Sequence, residues 1–332
     1  MKYFVTGATG FVGGRVSRML LQAGHEVVVV ARNPAKARDL ADLGMHVHKG
    51  DVTDKASMRD PMRGVDGVYH IAGWYKVGTR DKSEGQAINV DGTRNVLELM
   101  RELDIPKGVY TSTLAVNSDT HGQIVDETYR FRGQHISIYD QTKWAAHFEV
   151  AEPMVRAGLP LVTVMPGLIY GPGDTSSART TFLMYLQRKL PMIPFVSAYS
   201  WAHVDDIAQG HILAMEKGKV AEDYIIAGPT HTLIDALELA EQITGIPAPR
   251  TRVKPSQLKL LANITGFVEK FATLPEMYTA EYLRVSAGTT YTGSNAKAKA
   301  ELGYRPRPLN DGLTTTLHHE MRLLGLPIPA GV

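Results

Sequence analysis

The chain has 332 residues, of which 44% are hydrophobic and 21% charged, so it can bury a full core and does not read as disordered. Its 36 lysines and arginines nearly cancel 34 carboxylates, with no long block of one sign, which gives no reason to expect nucleic acid as a partner. With no cysteine, disulfides, thiolate nucleophiles and cysteine-held metals are excluded, and a reducing cytoplasm is compatible.

The N-terminal Met1-Lys2-Tyr3-Phe4-Val5 enters a strand pattern at once, without the basic segment and apolar run of a signal peptide. No stretch of about 18 uninterrupted apolar residues occurs, so a soluble, cytoplasmic protein with no integral membrane segment is expected. Strands are expected at 3–6, 26–31, 46–49, 67–71, 108–111 and 161–165, with helices near 11–23, 55–63, 84–103 and 139–157. Val27-Val28-Val29-Val30 is the continuous apolar run of a strand covered on both faces. Strands alternating with helices predict an α/β fold, a doubly wound parallel Rossmann sheet with right-handed crossovers. After 165, prolines and glycines loosen the pattern; a helix at 205–217 and a strand at 224–227 follow, and the remainder is mostly helical. Residues 1–165 plus about 200–228 are assigned to the dinucleotide-binding part, and 166–199 plus 229–332 to a smaller, helix-rich substrate-binding part.

Thr6-Gly7-Ala8-Thr9-Gly10-Phe11-Val12-Gly13 joins the first strand to the first helix. Glycines there allow a tight turn and close approach to a pyrophosphate, and the helix N-terminus offers free N–H groups. Gly7, Thr9, Gly10, Phe11, Val12 and Gly13 are therefore the expected phosphate cradle. The second strand ends in Ala31-Arg32-Asn33, with Lys36 one turn on. An acidic residue at that place accepts the ribose 2′-OH of NAD; Arg32 and Lys36 instead suit a 2′-phosphate, so NADP(H) is expected over NAD(H), the alternative being a solvated basic helix start. Asp51 after the third strand is expected to accept from the adenine amino group while Val52 covers the ring, or else to cap a helix, as Asp54 can. Ala72 and Gly73 after the fourth strand place small residues where a ribose passes the backbone.

Carbonyl reduction by hydride needs a proton donor whose pKa is brought towards neutrality, and a tyrosine beside an ammonium can supply it. Tyr139 and Lys143 are four apart on an expected helix and share a face. Tyr185 and Lys189 have the same spacing but lie outside the crossover, on an exposed face or a lid. The fifth strand ends in Tyr110-Thr111-Ser112-Thr113, whose hydroxyls either form a turn or steady a substrate oxygen; Thr113 is chosen for the second role, with Ser112 packed below it.

These motifs, with Asn89-Val90-Asp91-Gly92-Thr93, Pro166-Gly167-Leu168-Ile169-Tyr170-Gly171-Pro172 and Trp201-Ala202-His203-Val204-Asp205-Asp206, occur in the order seen in extended short-chain dehydrogenases, which the chain resembles from residue 2 to about 317. The resemblance implies an NAD(P)-dependent oxidoreductase in which Tyr139 is the general acid/base, Lys143 its pKa-lowering and ribose-binding partner, and Thr113 the third member. It places Pro166 and Gly167 against the nicotinamide and leaves Asn89 either catalytic or structural. Family members often dimerise through the helices corresponding to 84–103 and 139–157, so a homodimer is expected by analogy.

Members acting on nucleotide-sugars commonly carry arginines where this chain has Met165 and, before His203, Ala198-Tyr199-Ser200-Trp201. Met165, Met184, Tyr199, Trp201, Trp74 and Tyr75 instead suggest an apolar pocket, about half of them serving as core. The chain thus looks nearest to dihydroflavonol-reductase and 3β-hydroxysteroid-dehydrogenase-like members, and to the hopanoid-associated sugar epimerases that resemble them. The expected function is hydride transfer between NADPH and an apolar ketone, aldehyde or secondary alcohol. The alternative is a nucleotide-sugar epimerase or dehydratase with retained NAD(P). The stretch 256–285, with Leu258, Leu260, Leu261, Ile264, Phe267 and Phe271, is amphipathic enough to cap the pocket or to lie on a membrane surface. His46/His48 and His318/His319 lack a zinc-ligand pattern and read as surface residues, so no metal is expected.

Overall fold

The computed structural model describes residues 1–79, 81–275 and 278–329. Runs of β-branched and aromatic residues form strands β1 (Lys2–Thr6), β2 (Glu26–Ala31), β3 (His46–Lys49), β4 (Gly67–His70), β5 (Gly108–Thr111) and β6 (Leu161–Pro166). The chain then makes β7 (Leu168–Tyr170), β8 (Ile193–Pro194) and β9 (Ala198–His203), and β10 (Asp223–Ile226) returns to the main sheet. That sheet has seven strands in the order β10-β6-β5-β4-β1-β2-β3, with every neighbouring pair parallel. The order reverses direction between β1 and β4, the switch point where ligands bind in open α/β sheets. The fold is the expected α/β one, a parallel Rossmann sheet with a smaller, helix-rich C-terminal region.

Helices cover both faces of the sheet. One core gathers Val5, Val16, Leu20, Val27, Val29 and Ile207; the opposite face gathers Phe4, Val28, Val68, Leu97, Met100 and Tyr110. The alternation of Val27/Val29 and Val28/Val30 between the two cores explains why β2 is apolar throughout. The expected helix at 84–103 consists of Ser83–Gly85, a π-helical turn Gln86–Asp91 and Gly92–Glu102. The helix at 139–157 likewise contains Ile138–Trp144, a π-turn Ala145–Ala151 and Glu152–Arg156. A wide turn shifts the face that each helix presents, so its two ends pack against different partners. A short helix Arg38–Asp42 has no counterpart in the sequence reading.

Beyond β6 a second sheet forms from β11 (Thr230–Thr232), β9 and β13 (Thr290–Tyr291), with β7 paired to β9. β12 (Arg252–Val253) pairs with β8. A separate apolar core of Tyr170, Phe182, Trp201, Leu237, Leu313 and Leu317 lies beneath. Two ion-pair groups fasten this region to the Rossmann sheet. Arg15, on the first helix, pairs with Asp205 at 3.0 Å and donates to the Pro172 carbonyl. Arg307 grips Asp206 through its backbone amide, Nε and a terminal nitrogen at 2.8–3.1 Å.

The crossing from β6 to β7 is tight: a methyl group on Gly167 would lie 2.0 Å from the Ser200 carbonyl oxygen on β9. Gly167→Ala is expected to cost about 2 kcal/mol or more, because backbone on both sides must move. Chemical denaturation measures it; an unchanged midpoint would show that β9 yields freely.

Candidate active site

The turn after β1 is shaped for close backbone approach. Gly7 has a positive φ of 76°, and a Cβ there would sit 2.8 Å from the Ala72 nitrogen; one on Gly13 would sit 2.2 Å from the Gly7 oxygen. Gly10 caps the helix Phe11–Gln22 with no side-chain hydrogen bond, so the first-turn amides remain free for an anion. A dinucleotide pyrophosphate fits this cradle of bare backbone and free N–H groups.

Thr6 ties the turn to the end of β4. Its Oγ1 accepts from the amides of Ile71 and Ala72, both at 3.1 Å, so its hydrogen goes to His70 Nδ1 at 2.8 Å. His70 Nε2 then donates to Thr93 Oγ1 at 3.0 Å. Burial pushes His70 down to about 3, which keeps the ring neutral in this arrangement. Thr93 bonds the Tyr110 phenol, and Lys143 Nζ reaches Tyr110 Oη at 3.4 Å and the Thr111 carbonyl at 2.7 Å. A buried polar chain therefore runs beneath the crevice from β1 through β4 to the amine on the helix Ile138–Trp144. A methyl group on Gly73 would lie 4.0 Å from Lys143 Nζ and 3.5 Å from Asn89 Oδ1, which brings Gly73 and Lys143 to one spot.

Tyr139, one turn before Lys143, is hydrogen-bonded by Thr113. Burial pushes its phenol up to about 12; the Thr113 bond opposes the rise and neighbouring Asp140 adds to it. Lys143 is pushed down to about 7, again by burial. The amine is directed at the Thr111 carbonyl and Tyr110 rather than at the Tyr139 phenol. Asn89 Nδ2 donates to the Trp74 carbonyl and to Thr142 Oγ1, both at 2.9 Å, while its Oδ1 accepts from the Trp74 amide at 2.7 Å. Every polar atom of Asn89 pins loop to helix, which is its structural role.

Several expected pocket residues sit elsewhere. Met165 is buried with Leu114, Val116, Ile225 and Ala227, and Trp201 lies in the C-terminal core with its indole donating to the His231 carbonyl. Tyr185 is buried, bonded to the Ile246 carbonyl at 2.5 Å and to Thr244, so it is neither exposed nor on a lid. Met184 and Tyr199 are half-buried, Trp74 is buried and Tyr75 is exposed, its hydroxyl 3.0 Å from Thr175 Oγ1. Asp51 accepts from the Thr53 amide at 2.9 Å, and the helix cap at Lys55–Met62 falls to Asp54. Val52 is buried against Gly92 rather than open to solvent. His318 and His319 are half-buried, not surface residues.

The sequence did not reveal the groups that hold the helix Ile138–Trp144. Asp140 is buried and accepts from Ser137 at 2.8 Å and from Tyr291 Oη at 3.0 Å; Tyr291 stacks on Tyr199. Glu281 accepts from the Ile138 amide at 2.7 Å and pairs with Lys82 at 3.2 Å. On the far side, Ser112 bonds His147 Nδ1 at 2.7 Å, and His147 Nε2 meets Asp223 at 3.3 Å. The one local signal was a carboxylate inside the Tyr-Asp-Gln-Thr-Lys turn, a residue with no outlet to water on a helix face turned inward.

The sequence pattern of the NAD dependent epimerase/dehydratase family matches residues 3–227. The chain belongs to that family. The chain is similar to a putative dihydroflavonol 4-reductase from a Synechocystis species, 31% identical over 328 residues, which cover 95% of this chain and 93% of the relative. The crystal structure of gox2253 superposes with a TM-score of 0.84 at 31% identity, covering 97% of this chain and 98% of that one. UDP-glucuronic acid 4-epimerase from Bacillus cereus, in complex with NAD, superposes with a TM-score of 0.75 at 20% identity, covering 97% of each chain. The protein is an NAD(P)-dependent enzyme of the oxidoreductase/epimerase kind.

These structures correct the expected preference for NADP(H). Those whose dinucleotide is named hold NAD. Arg32 and Lys36 are exposed; a solvated cation contributes little, and it does not exclude a ribose hydroxyl as a carboxylate excludes a phosphate. A basic residue at the end of β2 permits a 2′-phosphate without requiring one. Among the described residues no helix is long and apolar enough to cross a membrane.

Burial raises the Asp140 carboxyl from the usual 3.8 to about 6. The folded chain then holds this proton more tightly than the unfolded one, so its contribution to stability is full below about pH 4 and is lost as pH rises through about 6. Asp140→Asn is expected to remove that fall, as read from denaturation midpoints across the interval; an unaltered slope would place the titration elsewhere.

Proposed function

We propose that the protein oxidises and reduces a carbinol carbon of a small organic molecule by hydride exchange with a bound dinucleotide, with Tyr139 carrying the proton. The observation that carries this reading is the convergence of Thr113, Tyr139 and Lys143 beneath the end of β5, beside the Gly73 turn. Gly7, Thr9, Gly10, Phe11, Val12 and Gly13 would hold the pyrophosphate, Ala72, Gly73 and Lys143 the nicotinamide ribose, and Pro166 and Gly167 the ring. Asp51 and Val52 are nearest the adenine end. The dinucleotide supplies the ring carbon that takes or returns hydride. In reduction the Tyr139 phenol, which burial keeps protonated, would give its proton to the substrate carbonyl oxygen with Thr113 hydrogen-bonded beside it; in oxidation Tyr139 would have to start as phenolate and would take the substrate O–H proton back.

Two outcomes share this chemistry. Return of the hydride to the same molecule makes an epimerase or dehydratase, and the solved UDP-sugar epimerases of this fold support that reading more strongly. Net reduction of an apolar carbonyl has support from the reductase-named Synechocystis relative and from the stacked Tyr199 and Tyr291.

Tyr139→Phe is expected to lower turnover by about a thousandfold while leaving dinucleotide affinity within about twofold. Retained activity would remove the assignment. For the favoured outcome, protein purified without added cofactor releases NAD on denaturation and converts substrate with no net change at 340 nm; stoichiometric consumption of added reduced dinucleotide would establish net reduction instead.

A further inference from the structure

The helix Pro255–Val268 turns its inner side, Leu258 and Ala262, onto Leu283, Ala287 and the partly buried Val253. Leu260, Ile264, Phe267 and Phe271, spaced as one helical stripe, are 63%, 54%, 62% and 77% exposed. Leu261 and Val268 widen the stripe, and Phe195 and Val196 extend it, Phe195 donating to the Val253 carbonyl two residues before the helix begins. Such a run of large apolar side chains in water marks an interaction surface, since scattered single leucines need no partner but a contiguous face does.

The charges around the stripe select the partner. The helix holds no carboxylate between 255 and 268, and Glu269 is turned back to the Ala280 amide. Lys254, Lys259 and Lys270 have no ion-pair partner among the described residues, and Lys270 lies over the Phe267 ring. A two-fold contact of this face with a second copy would oppose like charges. Aromatic and aliphatic side chains at the acyl boundary, with lysines reaching up to headgroup phosphates, satisfy both sets of groups at once.

We propose that the helix Pro255–Val268 and the turn to Phe271 dock the protein on an anionic lipid bilayer surface. The near-zero net charge conceals this patch because the cations are local to one helix.

Flotation with vesicles of phosphatidylcholine alone, and of equal parts phosphatidylcholine and phosphatidylglycerol, tests it. The wild-type protein is expected to float with the anionic vesicles, more weakly at high salt. Phe267→Ser combined with Phe271→Ser should reduce the bound fraction about tenfold, and Lys259→Glu with Lys270→Glu comparably. All forms should keep dinucleotide binding, which shows that they are folded. No flotation, or equal flotation of wild type and variants, overturns the proposal. So does concentration-dependent self-association in sedimentation that the phenylalanine variants abolish, which would make a second copy the occupant.

Discussion

An amine withdrawn from water is the constraint around which this site is built. A buried ammonium without partners would cost several kcal/mol, so Lys143 must be met by acceptors, and the Thr111 carbonyl and Tyr110 phenol meet it. Tyr110 is itself fixed through Thr93, His70 and Thr6. The same Thr6 hydroxyl sets the Ala72 amide against Gly7, where the phosphate cradle begins. The glycine turn after β1 and the Lys143 amine are therefore two ends of one hydrogen-bonded structure crossing three strands.

The helix Ile138–Trp144 is held just as firmly from the C-terminal side. Tyr291 from β13 bonds Asp140, and Glu281 accepts from the first amide of the helix. Both come from a region that is also tied to the Rossmann sheet by Arg307–Asp206 and by Lys297, which meets Glu222 and the Asp223 carbonyl. Any shift of that region on substrate binding would be felt directly beside Tyr139, since Asp140 is its chain neighbour.

Features with a local cause were legible in the sequence. Valine runs, the glycine turn and the Tyr139/Lys143 spacing each follow from a few adjacent residues, and the structure places them together. What escaped depended on distant partners: Asp140 with Tyr291, and Ser112 with His147 and Asp223, are set by the packing of separate elements. Met165 and Trp201 were read as lining a pocket because apolar residues near a site look alike whether they face ligand or core. For helix 255–268 the sequence left two outcomes open, since periodicity shows that one face is apolar without saying what covers it. The NADP(H) expectation failed because a positive side chain at the end of β2 permits more than one ribose.

The proposed chemistry requires the Tyr139 oxygen to stand beside the reacting carbon of the dinucleotide, and a crystal structure with NAD bound reads that distance. The phenolic oxygen is expected within about 5 Å of the nicotinamide C4, on the side open to substrate and in contact with Thr113. A nicotinamide seated away from that oxygen, or a phenol turned out of the crevice, would contradict it.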